Sequence, residues 1–471
     1  MALYSYKSAM DTLLLARIQF AFTVTFHYFF PPMTIGLAWM LIYIEGVYVR
    51  TKDPMYKKMA QFWTRIFSIF FVMGVATGFV LLFAFGNNWS TFSKFVGDVF
   101  GSLLAAEGIF AFFMEGGFLG IMLFGWDRVT PVMHYVSTIL VSFGATFSAI
   151  WIVMANSWMQ TPTGYKIIGD GPNKRAVIAN LWDIYFNPSF IDRLFHVLLG
   201  CWILGIFLMI SVSAYYLLKK RHLAFARRTM KIALIAAMAS LLLQLFSGDR
   251  SAKLTAKYQP TKFAAMEAIF ETQEYAPFTI IGFVDMANEK MRGIAIPGLL
   301  SFLTHGNFKE AVQGLNEVPK EDWPYVPAVF YSYHIMIYAW GGMMAIAMLG
   351  LFFCWRKTLE RQRWYLWGAV LSIALPYIAN MAGWFTAEMG RQPWIVYNVM
   401  RVNEGLSKVV SREQVLGSLI MFICVYTLLG CLFVFLLNRK IQHGPGEYNT
   451  ALPDDAHYRD PYEEIPNRVE S

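Results

Sequence analysis

A chain of 471 residues that is 57% hydrophobic and only 15% charged, with a mean hydropathy of +0.45, lacks the charge to cover a water-facing surface, which takes roughly a quarter charged residues. That excludes an ordinary cytosolic enzyme, a disordered chain and a secreted disulfide scaffold. The net charge of +8 reads as cationic residues flanking membrane helices and not as a nucleic-acid footprint.

Apolar runs bounded by charge clusters predict nine transmembrane helices, near 16–48, 62–86, 100–125, 129–156, 190–218, 229–247, 328–355, 364–387 and 413–438. Each run is about 20 residues or longer, enough to cross a bilayer core. The first runs well past the length of a signal-peptide core, so no cleavable signal is expected. Cys201, Cys354, Cys424 and Cys431 lie in apolar runs without a CxxC pair and read as inert buried thiols.

Short-loop cations set the orientation. Arg50, Lys52, Lys57 and Lys58 follow the first span, Lys219, Lys220, Arg221, Arg227 and Arg228 the fifth, and Arg356, Lys357, Arg361 and Arg363 the seventh; Arg439 and Lys440 follow the ninth. These clusters share one side, expected to be the cytoplasm, which places the N-terminus outside and the C-terminus inside. The chain is thus expected to be an all-α polytopic membrane protein. Residues 1–247 carry spans one to six, 248–327 an extracytoplasmic segment and 328–442 spans seven to nine. Residues 443–471, rich in Pro, Asp and Glu, read as a disordered cytoplasmic tail. Within the outer segment, Thr261–Thr272 has helical periodicity, and by itself reads as a surface linker helix.

An ionisable residue inside a span is costly and marks function by default. His27, His196 and His334 qualify by position, whereas His134 is expected at the inner interface. His196 and Met336 enter from outside to similar depth, at about 1.5 Å per residue. An imidazole and a thioether so placed suit the two sides of one low-spin haem iron. His334 is a rival ligand on another helix face. Glu107 and Glu115 lie two turns apart on the third span, and Glu388 ends the eighth. With His27, these carboxylates read as metal ligands or proton carriers, or else as partners of Arg17 and Arg391. No His–His pair, Walker glycine pattern or Rossmann fingerprint occurs.

The motifs ARIQFAFTVTFHYFF (16–30), GVATG (74–78), FGNNWS (85–90), LAAEGIFAFFMEGG (104–117), FGWDR (124–128), WMQTP (158–162), TKFAAMEAIFETQ (261–273) and GWFTAEMGRQPW (383–394) together resemble subunit I of the cytochrome bd-type quinol oxidases, in its short Q-loop form. The resemblance covers nearly the whole chain. It implies a respiratory quinol:oxygen oxidoreductase in the bacterial cytoplasmic (inner) membrane, with a low-spin haem b, a high-spin haem b, and haem d or a further haem b in its place. His196 and Met336 match the low-spin ligands. His27 and Glu388 match ligands of the high-spin pair, with Glu107 beside them and Arg391 and Arg17 among the haem-binding residues. Lys262 and Glu267, with Gln259, match the quinol-contacting residues. Glu115, Glu107, Ser148 and Asn156 are expected along a proton route from the cytoplasm. Implied partners are quinol, O2, a second large membrane subunit (subunit II) and small single-helix subunits, with no nucleic acid. Two departures stand out: His334 where the family has an arginine, and Met381 where it has a glutamate. The reading from another class is an ion or solute transporter using the buried carboxylates.

Overall fold

The computed structural model describes residues 2–106 and 113–446. Among the described residues, eight stretches are long and apolar enough to cross a membrane as helices, and each coincides with an expected span. The third expected span, 100–125, straddles residues outside the description. Its flanks are the helices α5 (Gly97–Ala106) and α6 (Phe113–Phe124), and Glu107 lies outside the described residues.

The first span is two helices, α1 (Ala2–Tyr28) and α2 (Pro31–Thr51). Pro31 and Pro32 lack the N–H groups that would continue α1, so the amide of Phe30 donates to the carbonyl of His27 at 3.0 Å and the chain turns there. The eighth span also breaks, into α14 (Arg363–Leu371) and α15 (Ala374–Met389). Pro376 cannot donate to the carbonyl of Ser372, which is taken instead by the amide of Leu375 at 3.0 Å.

Capping defines the remaining starts. Asp53 accepts from the amide of Met55 at 2.8 Å to open α3 (Pro54–Asn87), and its other oxygen meets Arg228 at 2.5 Å. Thr130 caps α7 (Pro131–Gln160), with Pro131 in the first turn, where its missing N–H costs nothing. Ser411 and Gln414 form a capping box on α17 (Arg412–His443). Between these lie short α4 (Ser90–Phe95) and α8 (Leu181–Tyr185), long α9 (Phe190–Leu218) and α10 (Leu223–Tyr258), then α11 (Pro260–Glu267), α12 (Leu299–His305), α13 (Val326–Trp355) and α16 (Val402–Gly405). The expected loop boundary at 248 falls inside α10, which runs on to Tyr258. The helix expected over 261–272 ends at Glu267, because Ala268 turns left-handed with φ 51°. Three antiparallel hairpins lie outside the spans and were not anticipated: β1–β2 (Tyr165–Ile168, Arg175–Ile178), β3–β4 (Phe278–Asp285, Lys290–Ile296) and β5–β6 (Trp394–Val396, Met400–Arg401).

The largest core joins α2, α3, α9 and α10 and includes Trp63, Phe67, Phe207, Tyr216 and Phe225. In lipid, close backbone approach replaces hydrophobic drive. α2 and α9 cross at Gly36 and Gly205, where a Cβ on Gly205 would stand 2.4 Å from the carbonyl carbon of Gly36. Gly205→Ala is therefore expected to force the helices apart and to cost about 1–3 kcal/mol by overpacking. Its thermal midpoint in detergent should fall, while Gly341→Ala, which meets nothing within 4 Å, serves as the unaffected control.

Candidate functional site

Helices α9, α10, α13 and α15 pack in a closed ring, each touching the next. His196 lies on α9 and Met336 on α13, diagonally across that ring. Each donor has a glycine as neighbour. A Cβ on Gly383 would stand 2.9 Å from Sδ of Met336, and one on Gly248 3.8 Å from Cε1 of His196. Ser247 Oγ lies 3.2 Å from Nδ1 of His196, and the Gln244 amide nitrogen 3.0 Å from its Nε2. The other end of that amide, Oε1 of Gln244, is buried without a partner.

His334, the rival ligand, is committed elsewhere. Its Nδ1 faces the carbonyl of Phe330 and its Nε2 that of Thr279, both at 2.9 Å. The ring ties α13 to β3, with a carbonyl oxygen in front of each nitrogen where a metal would have to sit.

His27, in the last turn of α1, sits against Gly78 of α3, whose Cβ would stand 3.2 Å from its Cε1. Its Nδ1 lies 2.9 Å from Oγ1 of Thr77, and that hydroxyl donates to the carbonyl of Met73 at 2.8 Å. The hydroxyl proton being spent there, Thr77 accepts from Nδ1–H and Nε2 keeps its lone pair. This is the outer partner that a metal-binding imidazole requires.

A polar cluster caps the ring. Oε1 of Glu388 accepts from Asn156 at 3.0 Å and from Gln160 at 3.2 Å, and its Oε2 meets Arg391 at 2.5 Å. Arg193 donates to Oδ1 of Asn156 and to Ser157. Lys262 donates to Gln160 at 2.6 Å and to Gln259 at 2.8 Å. Three cations, Arg193, Lys262 and Arg391, thus act on one another and on the single carboxylate of Glu388. Nε and Nη1 of Arg391 are buried without partners. Burial and the two guanidiniums hold the Lys262 ammonium well below the usual lysine range. An excess of buried cation with orphaned donors suits a dianionic group such as the paired propionates of a haem. The residues present therefore fit haem, with His196 and Met336, and separately His27, as its donors.

Far from being a surface linker, α11 is buried along Lys262–Glu267. Glu267 is 1% exposed, its Oε2 lacks a partner, and burial pushes its carboxyl up to about 8 against a weaker opposing contact from Tyr333. Arg17 does not pair with a described carboxylate; it donates to Gln392 at 3.4 Å. Asn156 belongs to the Glu388 cluster. Glu115 lies in the first turn of α6 and Ser148 is half-buried on α7, both with interactions of their own. His134, in the first turn of α7, is buried with Glu45 at 2.5 Å, and Thr138 donates to the other oxygen of Glu45 at 2.6 Å. Motif reading passed over Thr77, Arg193, Gln160 and Gln244. Thr77 and Gln160 stood inside the quoted motifs GVATG and WMQTP, but nothing in one sequence says which neighbour they face.

A ring of helices that carries an imidazole and a thioether beside a buried cationic cluster has the side chains that a haem-binding membrane oxidoreductase needs. Residues 15–445 match the family described as Cytochrome bd terminal oxidase subunit I. The chain is 40% identical over 446 residues to Cytochrome bd ubiquinol oxidase subunit 1 of Bacillus subtilis (strain 168), covering 92% of this chain and 94% of the relative. It is 31% identical over 510 residues to Cytochrome bd-II ubiquinol oxidase subunit 1 of Escherichia coli (strain K12), covering 94% and 99%. The structure of bd oxidase from Geobacillus thermodenitrificans superposes with a TM-score of 0.87 at 30% identity, covering 93% of this chain and all of that one. The chain belongs to the cytochrome bd terminal oxidase subunit I family. It is a haem-containing membrane oxidoreductase of respiratory electron transport, one subunit of an oxidase that normally works with a subunit II.

Proposed function

We propose that this chain oxidises quinol at the outer face, through the segment 248–327, and carries the site where O2 is reduced to water. The observation that supports this best is the buried run Gln259–Lys262–Gln160–Glu388–Arg391, which joins the loop helix α11 to the end of the haem-donor ring. His196 and Met336 would hold a low-spin haem b, and His27 and Glu388 a high-spin haem b with haem d, or a further haem b; once bound, these groups would supply the electron transfer and oxygen chemistry.

The chain's own residues handle position and protons. Lys262 offers ammonium hydrogens to a quinol oxygen, and Glu267, whose Oε2 is buried without a partner, takes up the quinol proton for release outside. Asn156, Gln160 and Arg391 hold the Glu388 carboxylate, while Arg391 and Arg193 neutralise propionates. On the cytoplasmic route, Glu115 and Ser148 pass protons toward Glu107. Each charge moved inward against the membrane potential stores about 2.3 kcal/mol per 100 mV, which makes the enzyme electrogenic without a separate pump. Subunit II and small single-helix subunits complete the assembly.

A reduced-minus-oxidised optical spectrum of the purified protein, with quinol-driven oxygen consumption, tests this reading. Haem bands and quinol turnover are expected; a colourless protein would sink it and favour a transporter. His27→Ala should abolish carbon monoxide binding at the high-spin site. Thr77→Val, by freeing the His27 tautomer, should weaken that site about 10–100-fold, read as haem lost on dilution. Unchanged carbon monoxide binding in His27→Ala would remove His27 from the site.

A further inference from the structure

We infer that Gln160 is a positioning residue for quinol oxidation, its one amide holding Lys262 and Glu388 in fixed relation while keeping them out of direct contact. The inference rests on Lys262 as the quinol-contacting cation. Gln160 is the last residue of α7 and is fully buried. Its Oε1 accepts from Lys262 at 2.6 Å and from Gln259 at 3.0 Å. Its Nε2 donates to Oε1 of Glu388 and to the carbonyl of Ala387, both at 3.2 Å. Turning the amide over would set N–H against the ammonium and oxygen against the carboxylate, so all four contacts fix one orientation.

The spacing has a chemical consequence. An ammonium in direct contact with a buried carboxylate is held by a strong charge-assisted bond and presents little to a substrate. Here two neutral amide oxygens hold Lys262, and one of its three donors stays available for a quinol oxygen. The lysine stem is seated by Gly390, where a Cβ would fall 2.7 Å from Cγ of Lys262. Glu388 in turn keeps Arg391 and Asn156 as its partners. Gln160 is thus the only described side chain that hydrogen-bonds both Lys262 and Glu388.

The test uses the whole oxidase complex and compares Gln160→Met, which keeps length and removes both ends of the bridge, with Gln160→Asn, which keeps the amide but shortens it. Oxygen consumption is driven either by quinol or by a small one-electron donor that reduces the haems without the quinol site. The quinol KM should rise about tenfold or more in Gln160→Met, the loss of a hydrogen bond to a charged group, and less in Gln160→Asn. Donor-driven turnover should fall by less than the quinol-driven rate, because Glu388 keeps Asn156 and Arg391 as partners. If Gln160→Met fails to assemble, the Asn variant carries the comparison. A quinol KM within twofold of wild type overturns the inference, as does an equal fall of quinol-driven and donor-driven rates. Lys262→Ala separates the two readings: normal quinol kinetics there would remove the quinol site itself, whereas impairment there with normal Gln160 variants removes only Gln160.

Discussion

His196→Ala is expected to eliminate the low-spin b-type band and to bring quinol oxidation below about one hundredth of wild type, more than the ~10–100-fold that loss of an outer-shell partner costs a metal site. In the proposed assignment His196 is the nitrogen ligand, and Ser247 and Gln244 beside it offer no replacement of comparable strength. Met336→Leu should be milder in folding and as informative in spectrum. Leucine nearly conserves the volume against Gly383, so the packing cost stays below about 1.5 kcal/mol, but the sulfur donor is gone. The low-spin band should convert to a high-spin one with the haem retained. Optical and electron paramagnetic resonance spectra of both variants check this. Normal low-spin spectra in both would show the ligand assignment to be wrong.

Loss of the carboxylate in Glu267→Gln should lower quinol oxidation by about 10²–10⁴-fold, the usual reach of a general base, with haem content unchanged. The pH dependence has a definite sign. A carboxyl pushed up to about 8 is protonated below that pH and accepts a proton above it, so the rate should rise with pH through about 8. Lys262, held well below its ordinary range by burial and the neighbouring guanidiniums, donates to the quinol, and its loss should lower the rate across the profile. Glu267→Gln removes the rising limb, whereas Lys262→Ala lowers the rate and keeps that limb. The same raised carboxyl predicts that folding stability declines as pH climbs from the ordinary carboxylate range through about 8, because the folded state holds the proton more tightly than the unfolded chain; glutamine abolishes that decline. A wild-type profile in both variants would return α11 to the status of a linker.

Much of the membrane architecture was legible, for particular reasons. A run such as 190–218 can satisfy its backbone in lipid only as a helix, so apolar length alone predicts it. His27, His196 and Glu388 stood out because ionisable groups inside apolar runs are rare. Breaks at Phe29–Phe30 and at Ser372–Ile373 were less legible, since prolines are tolerated within membrane helices. The three hairpins escaped because their short strands lie in polar loops with weak alternation, as in Tyr165–Ile168. The pairing of His134 with Glu45 was not legible because the two lie 89 positions apart in sequence.

The sequence by itself determined the membrane class, the helix runs and, through motifs such as GRQPW, the family that the comparisons find. These depend on composition and local order, which the chain carries residue by residue. Only the tertiary structure decided partners: that Thr77 sets the tautomer of His27, that Nε2 of His334 faces the carbonyl of Thr279, and that Gln160 stands between Lys262 and Glu388. Those contacts join residues 50, 55 and 102 or more positions apart. A hydrogen bond has a reach of about 3 Å and a preferred angle, so its existence depends on how helices cross, and the crossing depends on glycines such as Gly36 and Gly205 meeting in space.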